Sequence, residues 1–234
     1  AGIPIGDLGG GMFGVMGVLS ALYERERSGE GQHVDISMLD CQISMLNYMA
    51  TMYFLSGQEP TPIGNSHFVH VPYNSYRTAD GHIIIAVIFD SFWDNLLEVV
   101  DFEPFRDEKY KTQPGRLADK DFIDGKLNEL LATNTSDYWL KQLEEKRIPC
   151  ARVNRFSEAL SDEQVLSRNM VVDLEHPGGA KTRGPGNPIK LSRTGEESFS
   201  PAPLLGQHTD SVLTSILGYS AEQIAQLREE GRIA

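Results

Sequence analysis

The 234-residue chain is 40% hydrophobic and 23% charged, an ordinary globular composition with room for one large domain or two smaller ones. Its formal net charge of -12 argues against broad nucleic-acid binding, so an anionic ligand must be met by local donors against an unfavourable overall field. The two cysteines, Cys41 and Cys150, stand in no metal-type spacing, and no apolar run reaches the ~18 residues of a membrane span; a reduced, cytoplasmic compartment and no metal are expected.

The first residues read as the middle of a fold, and the chain is expected to be part of a longer polypeptide. Ile5-Gly6-Asp7-Leu8-Gly9-Gly10-Gly11 reads as a loop becoming a helix. Asp is a common N-cap, and Gly-rich turns often precede helices. A second, compatible reading is chemical: one carboxylate beside a bare wall of Gly9, Gly10 and Gly11, whose backbone N–H groups face an acyl oxygen. Gly9-x-Gly11-x-x-Gly14 also matches the dinucleotide fingerprint, with Asp35 in the acidic position. That motif needs a buried strand before its glycines, where Pro4 and Asp7 stand. Gly10, Gly14 and Gly17 read instead as a small-residue helix face that another backbone can approach.

Residues 12–28 are predicted to be a helix, with the stripe Val15, Val18, Leu19 and Leu22 and a stop at Ser28-Gly29-Glu30-Gly31. His33–Ser37 alternates like a short strand. The dense apolar run 39–55 predicts a helix buried on most sides, its methionines filling core. Residues 57–72, with Pro60, Pro62, Gly64 and Pro72, have linker composition and mark a domain boundary. Asp80-Gly81 between two β-prone runs predicts a hairpin. Helices follow at 92–100, 121–132 and 136–146, the last with Trp139, Leu140 and Leu143 inward, separated by a polar, turn-rich stretch at 101–120. A strand is expected at 148–153, a helix at 156–169 and an extended segment at 170–175. Residues 176–203 read as strand, loop and a long return linker. The capping box Ser220-x-x-Gln223 opens a last helix, stopped by Gly231.

These residues resemble the class III CoA-transferases, the CaiB–BaiF group. The landmarks are Ile5–Gly11, Ala21-Leu22-Tyr23-Glu24-Arg25, Gly29-x-Gly31-Gln32-x-Val34-Asp35-Ile36-Ser37-Met38-Leu39-Asp40, Gly64-Asn65, Pro72-Tyr73, Arg77–Gly81, Ile148–Ala151 and Pro203–Thr209, spread over essentially the whole chain. The resemblance implies an α/β fold: part of a Rossmann-like large domain at 1–57, a linker at 58–72, a smaller α+β domain at 73–192, and a tail at 193–234 returning to the large domain. It implies an interlocked homodimer, with the family's N-terminal half absent from this sequence. It implies movement of coenzyme A between carboxylic acids, with Asp7 as the reactive residue and Met38 in the CoA pocket. Coenzyme A enters as acyl-CoA substrate, together with a small acid acceptor, and no nucleic acid or membrane is involved.

His67 and His70 sit in a loop leading into the second domain and, with Tyr73, are candidates for orienting an acceptor carboxylate; the Gly-rich active-site loop of formyl-CoA transferases, which would stand roughly at 65–71, is lacking, which argues against oxalate and formate as substrates. Solvated loop histidines are the bland alternative. Arg77 reads equally as a strand-surface charge, Cys150 as core, and Glu24–Arg27 as a solvated helix end. Two rival functions stay open. One is a 2-methylacyl-CoA racemase on the same fold, which needs a proton-moving His outside this sequence. The other is a non-catalytic assembly half that works only with a partner chain.

Overall fold

The computed structural model describes residues 2–195 and 198–233. The expected return linker crosses Glu196 and Glu197, and the tail ends at Ala234; these lie outside the described residues. The fold mixes helices with small antiparallel sheets, and the chain divides into two compact units, Ala1–Ser66 and His67–Ala234.

The first unit is helical. Helix α1 (Ile5–Ser28) starts well before residue 12, with Pro4 at its N-cap and Asp7 in its first turn. The Gly-rich segment is therefore helix, not loop. Glycine disfavours a helix interior by about 1 kcal/mol relative to Ala, so packing must select this conformation. A Cβ on Gly9 would lie 2.6 Å from the Met45 methyl carbon, one on Gly10 3.2 Å from Met38 Cγ, and one on Gly17 2.9 Å from Val34 Cγ1. The close-packing face is thus real at Gly10 and Gly17. Gly14, expected to share it, meets open space, and Gly9 takes its place. Arg25 and Arg27 lie in the last turn, and Gly29 closes the helix at φ 78°, its N–H donating to Arg25 O.

The chain then runs to Ser37, which caps α2 (Met38–Met45) by accepting from the Asp40 N–H. No strand forms at His33–Ser37. Its Val34 and Ile36 pack on Gly17 side-on, and among the described residues no neighbouring strand pairs its backbone. The single buried helix expected over 39–55 is also corrected. Asn47, at φ 50°, breaks it into α2 and α3 (Tyr48–Ser56), and Phe54 and Leu55 are more than three-quarters exposed. No unbroken apolar run of about 18 residues occurs, as expected, yet one helix as a whole has the length and average hydropathy to cross a membrane. The 24-residue α1, with mean hydropathy 1.4 over its most apolar window, is long and apolar enough by length and composition alone.

The second unit has its own core. Strands β1 (Tyr73–Arg77) and β2 (His82–Ala86) form the expected hairpin, pairing Arg77 with His82, and β3 (Cys150–Arg152) joins on the far side of β2. Helix α4 (Asp90–Val99), 3₁₀ turns at Glu103–Arg106 and Glu108–Lys111, α5 (Gln113–Ala118), α6 (Lys120–Leu131) and α7 (Ser136–Glu145) follow. Tyr76, Ile83 and Ile85 of the sheet meet Trp93, Leu96, Ile123, Leu127, Leu131 and Leu143 in one buried cluster. The helix expected over 156–169 is two pieces, α8 (Phe156–Ala159) and α9 (Glu163–Ser167), because the Asp162 carboxylate caps the second by accepting from Gln164 and Val165. Strands β4 (Val171–Glu175) and β5 (Lys181–Pro185) make a second hairpin. Helices α10 (Thr209–Ser215) and α11 (Ala221–Glu229) end the chain, α11 with both arms of the expected capping box.

Candidate active site

Asp7 is the third residue of α1 and is exposed, and among the described residues no hydrogen bond or ion pair engages its carboxylate. Positions three, four and seven residues on share its helix face. They are Gly10, Gly11 and Gly14, so the face beyond the carboxylate carries no side chains for two turns. Gly11 and Gly14 have open space where a Cβ would stand, whereas Gly10 lies under Met38. The structure thus brings Met38 onto the glycine face that follows Asp7.

The oxyanion role expected of the Gly9, Gly10 and Gly11 amides needs correction. Inside a helix each N–H points at the carbonyl four residues back, and these three lie past the first turn. The donors left over are earlier. Ile5 N–H donates to Ile3 O at 2.8 Å and Leu8 N–H to Pro4 O at 3.0 Å. Gly6 and Asp7 N–H have no acceptor among the described residues, as the first turn of any helix allows. What Gly9–Gly11 provide is absence of bulk.

His67, His70 and Tyr73 come together at the start of the second unit. The His67 ring stacks on Tyr73 at 5.1 Å and on Phe68 at 4.4 Å, and lies 4.7 Å from the His70 ring. Burial, then the neighbouring His70, pushes the His67 pKa below its usual value. His67 Nδ1 already accepts from two backbone amides, Val69 at 3.0 Å and His70 at 3.1 Å. Only its Nε2 edge is left for a ligand. His70 Nδ1 is buried with no partner among the described residues. Cys150 is half-buried, and burial followed by Glu144 raises its thiol pKa, consistent with an inert side chain.

Sequence reasoning missed Arg116, which sits fully buried in the stretch read as polar and turn-rich. Its Nε donates to Val71 O at 2.9 Å, Nη1 to Tyr110 O at 2.8 Å, and Nη2 to Asp90 at 2.6 Å and Gln113 at 2.8 Å. The guanidinium also lies over the Trp93 ring. Pro114 at the start of α5 was the one local signal of a helix there.

The family model for CoA-transferase family III matches residues 1–209. The chain belongs to that family. It is 33% identical over 213 residues to a succinyl-CoA:mesaconate CoA-transferase of Haloarcula hispanica, covering 91% of this chain and 53% of that enzyme. It is likewise 33% identical over 221 residues to a succinate–glutarate CoA-transferase of Agrobacterium fabrum, covering 92% of this chain and 54% of that one. Among solved structures, a CaiB/BaiF family protein from Brucella suis superposes with a TM-score of 0.78 at 29% identity, over 92% of this chain and 56% of its own. The chain spans about half the length of the curated relatives it matches.

Proposed function

We propose that this chain carries the nucleophile of a CoA-transferase acting between small dicarboxylic acids, with Asp7 as the group that is acylated. The observation carrying this reading is the unpaired, exposed Asp7 carboxylate at the head of a helix face made bare by Gly10, Gly11 and Gly14. The names of the relatives, which pair succinyl-CoA or succinate with mesaconate or glutarate, support the dicarboxylate class.

The Asp7 carboxylate attacks the thioester carbonyl and the CoA thiolate leaves, forming a mixed anhydride. The thiolate attacks the aspartyl carbonyl, making an aspartyl-CoA thioester and releasing the donor carboxylate. The acceptor carboxylate attacks that thioester, expelling the thiolate again and forming a second anhydride. Attack of the thiolate on the acceptor's acyl carbon yields the new acyl-CoA and returns Asp7 as carboxylate. Each addition puts negative charge on oxygen, and the Gly6 and Asp7 amides are the donors nearest in sequence to receive it. Met38 contacts the CoA, and His67 Nε2, His70 and Tyr73 are the carboxylate-binding candidates.

The apolar faces of α1–α3, including Leu8, Met12, Val15, Leu19 and Leu22, are covered by the rest of a longer polypeptide and its second copy, in an interlocked cytoplasmic homodimer. In this reading residues 1–57 belong to a Rossmann-like large domain, 73–192 form the small domain, and 193–234 return to the large one. The test uses the full polypeptide. Acyl-CoA followed by hydroxylamine modifies Asp7, and Asp7→Ala lowers transfer by about 10⁴-fold or more, the scale of losing a covalent nucleophile. Normal turnover by Asp7→Ala defeats the proposal.

A further inference from the structure

The loop from His67 to Pro72 has no regular secondary structure, yet its backbone is tied down at nearly every step. His67 N–H donates to Tyr73 O at 2.9 Å, where β1 begins. Val69 O accepts from the Gln113 side chain and Val71 O from Arg116 Nε, both on α5. The turn between these anchors is closed by one atom, His67 Nδ1, which accepts from the Val69 and His70 amides together. This is the arrangement an Asn or Asp carboxamide or carboxylate oxygen makes in an Asx turn.

We propose that His67 is a positioning residue, an imidazole clasp that holds the 67–72 loop in shape only while its Nδ1 is unprotonated, so that loop order is lost on mild acidification. An Nδ1 facing two N–H donors must present a lone pair, which places the ring proton on Nε2. Protonation replaces that acceptor with a third donor pointing at two others. The surroundings oppose the cation. His70 lies against the ring and buries an unpartnered nitrogen of its own. Tyr73 and Phe68 stack on it without a charge, and the nearest fixed charge from α5 is the Arg116 cation, paired with Asp90 of α4. Among the described residues the only charged or titratable group acting on the ring's charge is His70, and no carboxylate favours a second proton. The burial that lowers the His67 pKa acts in the same direction. A depressed folded pKa means that the clasp contributes fully above the ordinary histidine value of 6.5 and loses its contribution as pH falls through the lowered one.

The inference holds whichever reaction the enzyme performs, so its test does not depend on Asp7. Hydrogen exchange of the Val69 and His70 amides is followed in the full polypeptide at several pH values, corrected for intrinsic exchange. His67→Ala lowers their protection by about 10-fold above pH 7. His67→Asn, whose Oδ1 can take the place of Nδ1 without titrating, stays within about threefold of wild type. On acidification the wild type falls towards the alanine variant while the asparagine variant does not. Should His67→Ala fail to fold, imidazole nitrogen shifts in the wild type decide the matter: a proton on Nε2 supports the clasp. A proton on Nδ1 at neutral pH, wild-type protection in His67→Ala, or an equal acid response in His67→Asn overturns it.

Discussion

The two units solve the hydrophobic problem differently. Among described residues of the first, only Gly9 and Cys41 are buried, while α1, α2 and α3 expose leucines, methionines and aromatics along their lengths. The second closes its three-stranded sheet and helices α4–α7 over a continuous core, with Tyr76, Ile83, Leu127 and Leu131 wholly inaccessible, while the stretch from α8 to α11 leaves residues such as Phe156, Leu205 and Ile216 open. Secondary structure can therefore be complete where tertiary burial is not. The carboxylate proposed as nucleophile lies in the unit that leaves most of its apolar side chains open, and the loop that carries the histidines borders the core of the other.

The sharpest way to break that contrast is a pair of leucines. Leu131→Ala empties a fully buried site and is expected to cost about 2–5 kcal/mol in urea unfolding. Leu19→Ala, at a position 60% exposed, changes the stability of this chain by no more than about 0.5 kcal/mol. The proposed covering of this face predicts that in the full polypeptide the same Leu19→Ala costs about 2–4 kcal/mol. Equal costs for the two substitutions in the 234-residue chain contradict the comparison.

A buried charge gives the next effect. Arg116→Met leaves the Val71 and Tyr110 carbonyls without their donor and Asp90 without its cation. The Asp90 carboxylate is largely exposed and regains water, so the cost comes mainly from the carbonyls and is about 2–3 kcal/mol. The loss appears as a lower urea midpoint with unchanged slope.

Much of the second unit was legible because its signals are local. Asp80-Gly81 marks the hairpin, the spacing of Trp139, Leu140 and Leu143 marks α7, and Ser220 with Gln223 marks the start of α11. The first unit misled because its outcome depends on packing. Glycines that read as loop are helical because Met38, Met45 and Val34 press against them. Asn47 breaks the 39–55 run through a positive-φ, non-helical backbone, which an apolar periodicity does not register. Asp7 was legible as a motif, but the amides without an acceptor beside it, among the described residues, are those of Gly6 and Asp7, a turn before the Gly9–Gly11 amides expected. Arg116 and the His67 clasp were invisible, since both act on carbonyls and amides brought close only by the fold.

Gly11→Ala separates what the glycines do for the helix from what they do for chemistry. A Cβ there meets nothing within 4 Å, so α1 is expected to gain about 0.5–1 kcal/mol, seen as a rise of a few degrees in Tm. Transfer by the full polypeptide falls even so, because the methyl occupies the bare face beyond Asp7. Gain of stability with unchanged activity removes that face from the site.

The smallest effect concerns two aspartates. Asp80 Oδ1 accepts from Ser136 N–H at 2.7 Å, Ser136 Oγ at 2.9 Å and Thr78 Oγ1 at 3.1 Å, and these donors, Ser136 first, hold its carboxyl below the usual 3.8. A depressed carboxyl stabilises the fold above its unfolded pKa and stops doing so as pH falls through the folded one. Asp80→Asn is therefore less stable than wild type at neutral pH, and the two curves converge below pH 3.8. Asp7→Asn removes no hydrogen bond among the described residues and loses only the attraction of a first-turn carboxylate to the helix dipole, about 0.3–1 kcal/mol and screened by salt. The pair separates a carboxylate held by its neighbours from one left available to a substrate. A loss in Asp7→Asn that exceeds about 1 kcal/mol and persists at high salt would mean that Asp7 is held as well, and the distinction between the two units would fail at the residue where it matters most.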